Sequence, residues 1–128
     1  MRNREQTLHF CIRQYLEIAS RTVNNRIGFW TYLPFGENRT LTTGALLKKK
    51  GTKRGVPDFL MILNRDGFSK NRDGFSEFLW IEAKVGKNGQ TDEQREFERR
   101  CEQTSNEHYL LLRDNIDELA SYLNKNIG

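Results

Sequence analysis

Two carboxylates and an amine stand on two apolar runs, at positions from which they could bind a metal ion and act on a phosphodiester. Asp58 follows Pro57 and begins the run DFLMILN at 58–64, and Glu82 and Lys84 lie near the end of the run EFLWIEAKV at 77–85. Side chains alternate between the two faces of a strand, so Glu82 and Lys84 point to one side and their apolar neighbours to the other. A charge at the buried end of a strand is costly without a partner, and a metal ion or a phosphate is a suitable partner.

The oxygen donors of this set favour Mg²⁺ as the metal. Mg²⁺ prefers hard oxygen ligands and keeps several waters, so Asp58, Glu82 and the carbonyl oxygen of Ala83 could hold it and leave positions for a substrate. Lys84 could orient or deprotonate an attacking water and offset the charge of a phosphate. A surface ion-pair ladder is the alternative interpretation. The apolar runs around both motifs, Asp58 and the Glu82–Lys84 pair, favour the catalytic interpretation.

Seven elements must position these side chains. Apolar residues three and four positions apart predict helices over 4–21, after Thr91 and over 114–126, and β-branched or aromatic runs predict strands over 27–33, 58–64, 77–85 and 108–112. Thr91 and Gln94 have the spacing of a capping box at the start of the middle helix. The order α-β-β-β-α-β-α predicts one α/β domain over residues 1–128, in which helices cover both faces of a central sheet.

A basic segment leads into Asp58 and holds no acidic residue after Glu37. Its positive residues are Lys48, Lys49, Lys50, Lys53 and Arg54. Positive charge at the mouth of a phosphate-cleaving site binds backbone phosphates without reading bases, and such binding weakens steeply with salt. The segment is therefore predicted to bind DNA, and a solvated run of lysines is the alternative.

Composition and length limit the class of protein. The chain has 128 residues, of which 36% are hydrophobic and 30% charged, and its 21 Lys and Arg against 17 Asp and Glu give a net charge of +4. These values fit one ordered domain that acts on a polyanion. No apolar run approaches the length of a membrane span and the N-terminus lacks a signal-peptide core, so we expect a cytoplasmic protein that does not bind membranes.

The two cysteines and two histidines do not have the spacing of a usual metal site. Cys11 and Cys101 lie in predicted helices and far from any CxxC pattern, so both are expected to be reduced thiols in the core. A zinc site made by these cysteines with His9 and His108 is not expected, because their spacing fits no usual zinc site.

Three sequence blocks together carry a family resemblance. They are residues 55–60 (GVPDFL), 80–84 (WIEAK) and 89–94 (GQTDEQ). The blocks resemble the PD-(D/E)xK nuclease superfamily and, within it, the VRR-NUC (virus-type replication-repair nuclease) domains. The resemblance covers the whole chain. It implies a restriction-endonuclease-like core, a central mixed β-sheet flanked by helices, and metal-dependent hydrolysis of DNA phosphodiesters that leaves 5′-phosphate and 3′-hydroxyl ends.

The resemblance also implies a role for each matching residue. The family's metal ligands carry over to Asp58, Glu82 and the carbonyl of Ala83, and its catalytic lysine carries over to Lys84. Mg²⁺ is the implied cofactor, and Mn²⁺ is expected to support activity as well. The family's glutamine on the next helix carries over to Gln94. Because Gln94 also completes the predicted capping box, a role in the site and a role in the cap both stay open.

The family's first-helix glutamate maps to Glu5, which the resemblance makes a further metal ligand. Glu17 is a second candidate for this position. An acid near a helix N-terminus is also favoured by the helix dipole, which is the structural explanation for Glu5. The family usually has glutamine one turn later, where this chain has His9.

Freestanding VRR-NUC domains of phages and bacteria look like four-way-junction resolvases. The resemblance thus implies a structure-selective endonuclease of Holliday-junction type, acting in replication, recombination or repair within a bacterial or phage-infected cytoplasm. Symmetric cleavage needs two active sites, so a homodimer is implied.

Three alternative functions stay open: a nuclease of flaps or duplex DNA, a catalytically silent DNA-binding module, and a basic structural or ribosome-associated protein. Retention of Asp58, Glu82 and Lys84 together argues against a silent module, since a decayed site should lose at least one of them.

The connection between the second and third predicted strands contains an internal repeat, NRDGFS at 64–69 and again at 71–76. Loop tips accept added residues well, so a local duplication that lengthened a hairpin tip explains it. A dedicated substrate-contacting finger is the alternative.

Overall fold

Three helices and four strands form the part of the chain that the structure describes, residues 3–22, 27–34, 51, 53–64 and 76–125 of a computed structural model. The elements are α1 (Arg4–Ala19), β1 (Ile27–Tyr32), β2 (Phe59–Asn64), β3 (Ser76–Lys84), α2 (Asp92–Glu102), β4 (Glu107–Arg113) and α3 (Asp117–Lys125). The predicted order α-β-β-β-α-β-α is confirmed. Within these segments, no helix has the length and apolar character needed to cross a membrane.

The four strands form one mixed sheet in the spatial order β1-β2-β3-β4. β2 pairs antiparallel with β1 and with β3, whereas β3 and β4 are parallel. Parallel neighbours need a crossover connection, and α2 supplies it between β3 and β4. A mixed sheet flanked by helices is therefore confirmed.

One face of the sheet forms the core with α1 and α3. Alternate residues of the two central strands are fully or almost fully buried, and α1 and α3 each add an apolar stripe to them. The core residues are Leu8, Ile12, Leu16, Phe59, Met61, Leu63, Leu79, Ile81, Ala83, Leu112, Leu119 and Leu123. Since Ile81 and Ala83 face this core, their neighbours Glu82 and Lys84 must face the other side of the sheet.

The second face carries α2. The ring of Phe97 lies edge-on to Trp80 at 4.9 Å and tilted to Tyr109 at 6.4 Å. Trp80 also donates a hydrogen bond from Nε1 to Glu107 at 2.9 Å. These contacts hold α2 across β3 and β4, and they explain why its first turn can reach Glu82.

The third helix begins later than its apolar pattern predicts. Asp114 has a φ of +68°, a left-handed backbone that cannot start a right-handed helix. Its carboxylate accepts hydrogen bonds of 2.8 Å from the Gly86 amide and from Arg4, and these contacts favour that conformation. Asn115 then accepts a hydrogen bond from the Asp117 amide, where the helix begins. The prediction of a helix from Asp114 is wrong by three residues.

The two cysteines differ in burial. Cys101 is buried and Cys11 is exposed, and both are free thiols. The expected core position is right for Cys101 and wrong for Cys11. The reason is that α1 buries the stripe of Leu8, Ile12 and Leu16, and Cys11 points away from it.

Gly55 marks a close approach between the chain leading into β2 and the first turn of α2. It has a φ of +82°, and a Cβ added to it would lie 2.5 Å from the carbonyl oxygen of Glu93. We expect Gly55→Ala to lower the free energy of unfolding by about 3 kcal/mol, through backbone strain and overlap together. Gly51 has a φ of +98° with nothing within 4 Å of the added Cβ, so Gly51→Ala should cost only the backbone strain, about 1–2 kcal/mol. Urea unfolding of both variants measures the difference, and equal losses would contradict the close approach.

Candidate active site

The pairing of β2 with β3 brings Asp58 beside Glu82. The last paired residues at this end of the hairpin are Phe59 and Ile81, so Asp58 and Glu82 follow as neighbours on the face opposite the core. The Asp58 carboxylate accepts a hydrogen bond of 2.9 Å from the Ala83 amide. One backbone amide thus fixes the aspartate of one strand against the glutamate of the next, as the two sequence motifs predict.

Glu82 lies at the centre of the cluster and is only 3% exposed. Gln94 donates a hydrogen bond to its Oε1, and Lys84 Nζ lies 3.9 Å from the same oxygen. Its other oxygen, Oε2, is buried and has no hydrogen-bond partner among the residues that the structure describes. An unpaired, buried carboxylate oxygen points to a ligand at this position.

Burial raises the pKa of Glu82 to about 8, from an ordinary value of 4.5. The negative charge of Asp58 acts in the same direction, and the positive charge of Lys84 opposes it. Glu82 therefore keeps a proton at neutral pH when no cation is near. A divalent cation could take the place of that proton, because it would neutralise both carboxylates.

The backbone next to Asp58 is compatible with the role predicted for Ala83, whose carbonyl oxygen is expected to be a metal ligand. Continuing the β2–β3 register by two residues sets Pro57 opposite Ala83. Proline has no N–H, so Pro57 cannot donate a ladder hydrogen bond to the Ala83 carbonyl. The Asp58 and Glu82 carboxylates and this carbonyl are hard oxygen donors, so they could hold Mg²⁺.

Gln94 caps α2 and also contacts the candidate site, so its position is compatible with both of the roles that the sequence left open. Its Oε1 accepts a hydrogen bond of 2.8 Å from the Thr91 amide, while Thr91 Oγ1 accepts from the Gln94 amide at 3.2 Å. These two bonds are the predicted capping box. The remaining Nε2 group donates to Glu82. The carbonyl end of one side chain caps α2, and its NH₂ end holds the buried carboxylate.

The first helix contributes Glu5 and also His9, which the sequence analysis did not assign to the site. One ligand atom each from Glu5, His9 and Asp58 lie within 4.8 Å of one another. His9 Nε2 is 3.4 Å from Asp58 Oδ2. The sequence signal for His9 is its position four residues after Glu5, which puts both side chains on one face of α1. Glu17, the second candidate, instead pairs with Arg21 at 3.3 Å.

A polar cavity of about 170 Å³ joins these groups. It is lined by Glu5, Lys53, Gly55, Val56, Asp58, Glu82, Lys84 and Gln94. A water takes up roughly 30 Å³ in the liquid, so the cavity has room for a hydrated cation or a phosphate group. All four predicted catalytic residues, Asp58, Glu82, Lys84 and Gln94, line it.

Only part of the predicted DNA-binding segment lies in the described regions. Lys53 lines the cavity and is exposed, and Arg54 is exposed beside it. Lys48, Lys49 and Lys50 lie outside the described residues, as does most of the NRDGFS repeat, at 65–75.

No protein-family model, curated protein or solved structure matches this chain.

A second and larger cavity, of about 350 Å³, lies where α2, β4 and α3 meet. Cys101 and His108 line it, and His9 lies elsewhere, beside Asp58. Two of its three acidic groups have partners, since Glu98 accepts a hydrogen bond from Gln90 and Arg100 binds Glu107, and the third, Glu102, is exposed. The chemistry is therefore concentrated in the smaller cavity.

Proposed function

We propose that the protein is a metal-dependent DNA endonuclease of the PD-(D/E)xK superfamily, of the VRR-NUC type, with a restriction-endonuclease-like core. The observation that carries the proposal is the convergence of Asp58, Glu82 and Lys84 on one small polar cavity, with a buried oxygen of Glu82 left without a partner. The order and pairing of the strands support it, because they bring the two motifs to the same end of one hairpin.

Asp58, Glu82 and the Ala83 carbonyl would hold Mg²⁺, or Mn²⁺ in its place. When bound, the cation supplies Lewis-acid polarisation of the phosphate and lowers the pKa of a water. Gln94 keeps the Glu82 carboxylate in position through its hydrogen bond. Glu5 faces the same cavity from α1 and is a further ligand in this proposal.

Lys84 is the group that would act on the water and the phosphate. Its side chain is only 13% exposed, so its charge is poorly screened by solvent and acts strongly on groups in the cavity. The ammonium would offset negative charge that builds up on the phosphate, and the amine would orient the attacking water or accept its proton.

DNA is the substrate that the surroundings of the cavity favour. Lys53 lines the cavity, Arg54 is exposed next to it, and Lys48, Lys49 and Lys50 precede them in the sequence. These charges would bind the backbone of the nucleic acid. Binding through backbone phosphates fits selection by the shape of the DNA, as in branched DNA.

We propose a four-way junction as the preferred substrate and a homodimer as the active form, because paired cuts across a junction need two active sites.

Cleavage assays test this proposal. Purified protein is incubated with labelled four-way junction, flap and linear duplex, each with Mg²⁺ and with chelator. Cleavage of the junction at symmetric positions, in Mg²⁺ alone, is expected. Stronger cleavage of flap or duplex would select the other nuclease class. Junction binding without cleavage in Mg²⁺ or Mn²⁺ would identify a silent module, and cleavage in chelator would contradict the metal-dependent mechanism.

Replacing Gln94 separates its two roles. Gln94→Ala should lower the free energy of unfolding by about 1 kcal/mol through loss of the cap, and lower cleavage by about 10–100-fold through loss of the bond to Glu82. Thr91→Ala is the matched control, because it removes the capping hydroxyl and leaves the Gln94 side chain in place. It should cost a similar free energy of unfolding and keep cleavage near that of the unaltered protein. Equal losses of cleavage in both variants would assign Gln94 to the cap alone.

A further inference from the structure

Glu5 and His9 lie one helical turn apart on α1, and both side chains approach Asp58 at the start of β2. A ligand atom from each of the three residues lies within 4.8 Å of the others. Two ligands at positions i and i+4 of a helix share a face, which is a common arrangement for binding one metal ion. The three groups are two carboxylates and an imidazole, and all three types are metal ligands.

The imidazole is held in one place by its neighbours. The His9 ring packs against Tyr32 at 5.6 Å and edge-on against Phe59 at 5.8 Å. Its Nε2 lies 3.4 Å from Asp58 Oδ2, which is longer than the usual N–H···O hydrogen bond of about 2.9 Å. Adjacent ligands of an octahedral cation, each about 2.1 Å from it, are about 3 Å apart. The spacing of the two atoms is therefore close to that of neighbouring ligands on one ion.

Two members of this group, Glu5 and Asp58, also line the cavity that contains the unpaired oxygen of Glu82. Glu5 and Asp58 line the same cavity as Glu82, whose side chain is more than nine-tenths buried and whose Oε2 has no partner among the described residues. Asp58 lies between β3 and α1: its carboxylate accepts a hydrogen bond from the Ala83 amide, next to Glu82, and lies 3.4 Å from His9 Nε2. It can thus serve two cation positions, one on each side.

We propose that Glu5, His9 and Asp58 form a second divalent-cation site, and that the imidazole of His9 makes this site prefer Mn²⁺ over Mg²⁺. The inference deepens the proposed nuclease function and rests on it, because the second cation shares Asp58 with the first. Carboxylates suit Mg²⁺ and Mn²⁺ alike, whereas imidazole nitrogen suits transition metals and is a poor ligand for Mg²⁺. The position formed by Asp58, Glu82 and the Ala83 carbonyl has only oxygen donors and keeps no such preference.

Metal binding without DNA tests this site independently of any cleavage. The full chain is titrated with Mn²⁺, bound metal is counted by equilibrium dialysis, and pulsed electron paramagnetic resonance detects nitrogen bound to the ion. The chain has only two histidines, His9 and His108, so an imidazole signal can be assigned by two substitutions. We expect nitrogen coupling in the unaltered protein and in His108→Gln, and none in His9→Gln. His9→Gln should weaken one of the two Mn²⁺ sites by about tenfold or more and leave Mg²⁺ binding nearly unchanged.

Glu5→Gln provides a second variant, and it should weaken the same Mn²⁺ site by a similar factor. Glu17→Gln is its control on the same helix, since Glu17 pairs with Arg21 and should leave Mn²⁺ binding unchanged. Absence of nitrogen coupling in the unaltered protein at saturating Mn²⁺ would overturn the proposal, and this measurement does not depend on the folding of any variant. Nitrogen coupling that persists in His9→Gln would also overturn it. Junction cleavage without nitrogen coupling would remove the second site and keep the nuclease. Nitrogen coupling without cleavage would keep the site and remove the nuclease.

Discussion

Lys84→Met is expected to lower the rate of junction cleavage by about 10³-fold while leaving DNA binding and folding intact. The substitution removes the charge that faces the cavity and keeps most of the side-chain volume. The expected loss combines proton transfer to or from the attacking water with stabilisation of charge on the phosphate, each of which contributes about 10²-fold or more in enzymes. Single-turnover cleavage with enzyme in excess measures the rate, and a gel-shift titration in Ca²⁺ measures binding.

Lys87→Met is the matched control for this variant. Lys87 is exposed and lies in the turn that follows β3, so it has the same charge close in sequence without access to the cavity. Its cleavage rate should stay near that of the unaltered protein. Undiminished cleavage by Lys84→Met would show that the lysine has no part in the reaction, and a parallel loss in Lys87→Met would indicate a general effect of charge on DNA binding.

Glu82→Gln is expected to have two opposite effects: loss of cleavage by about 10³-fold, and greater stability of the metal-free protein at high pH. The first follows from removal of a charged metal ligand. The second follows from the raised pKa of Glu82, about 8 in the folded protein against 4.5 ordinarily. Between these two values the folded protein holds a proton that the unfolded chain releases, so stability falls as pH rises from about 4.5 to about 8.

The size of this second effect can be measured by urea unfolding in chelator at pH 5 and pH 8. At 1.36 kcal/mol per pH unit, the unaltered protein should lose on the order of 3 kcal/mol over that range through Glu82. Glu82→Gln should not show this loss. Glu118→Gln, an exposed acid on α3, is the control and should keep the pH dependence of the unaltered protein. The same pH dependence in Glu82→Gln would contradict the burial of an ionisable Glu82.

Those parts of the site that depend on local rules could be predicted from the sequence. Alternation along a strand was enough to place Glu82 and Lys84 on one face and Ile81 and Ala83 on the other, and the position of the latter two in the apolar core confirms it. The spacing of Thr91 and Gln94 was enough for the capping box, because its hydrogen bonds join residues three apart. The strands, their order and the crossover helix follow from patterns of the same kind.

The remaining parts depend on contacts between residues far apart in the sequence. His9 reaches Asp58 because α1 crosses the sheet where Tyr32 and Phe59 can hold the imidazole, and no local pattern shows that. The later start of α3 has a similar cause, since the backbone of Asp114 is fixed by bonds to Arg4 and Gly86. A prediction from apolar periodicity alone extends a helix until it meets a helix-breaking residue, and aspartate breaks helices only weakly.

The single amide of Gln94 links the motion of α2 to the state of Glu82. Its carbonyl end is bound to the Thr91 amide and its NH₂ end to Glu82, so the first turn of the helix cannot fray without releasing the carboxylate. Any ligand that holds Glu82 in place thereby raises the free energy of this local opening. Amide hydrogen exchange in the first turn of α2 would then slow when a cation binds, although the helix contributes no charged ligand of its own.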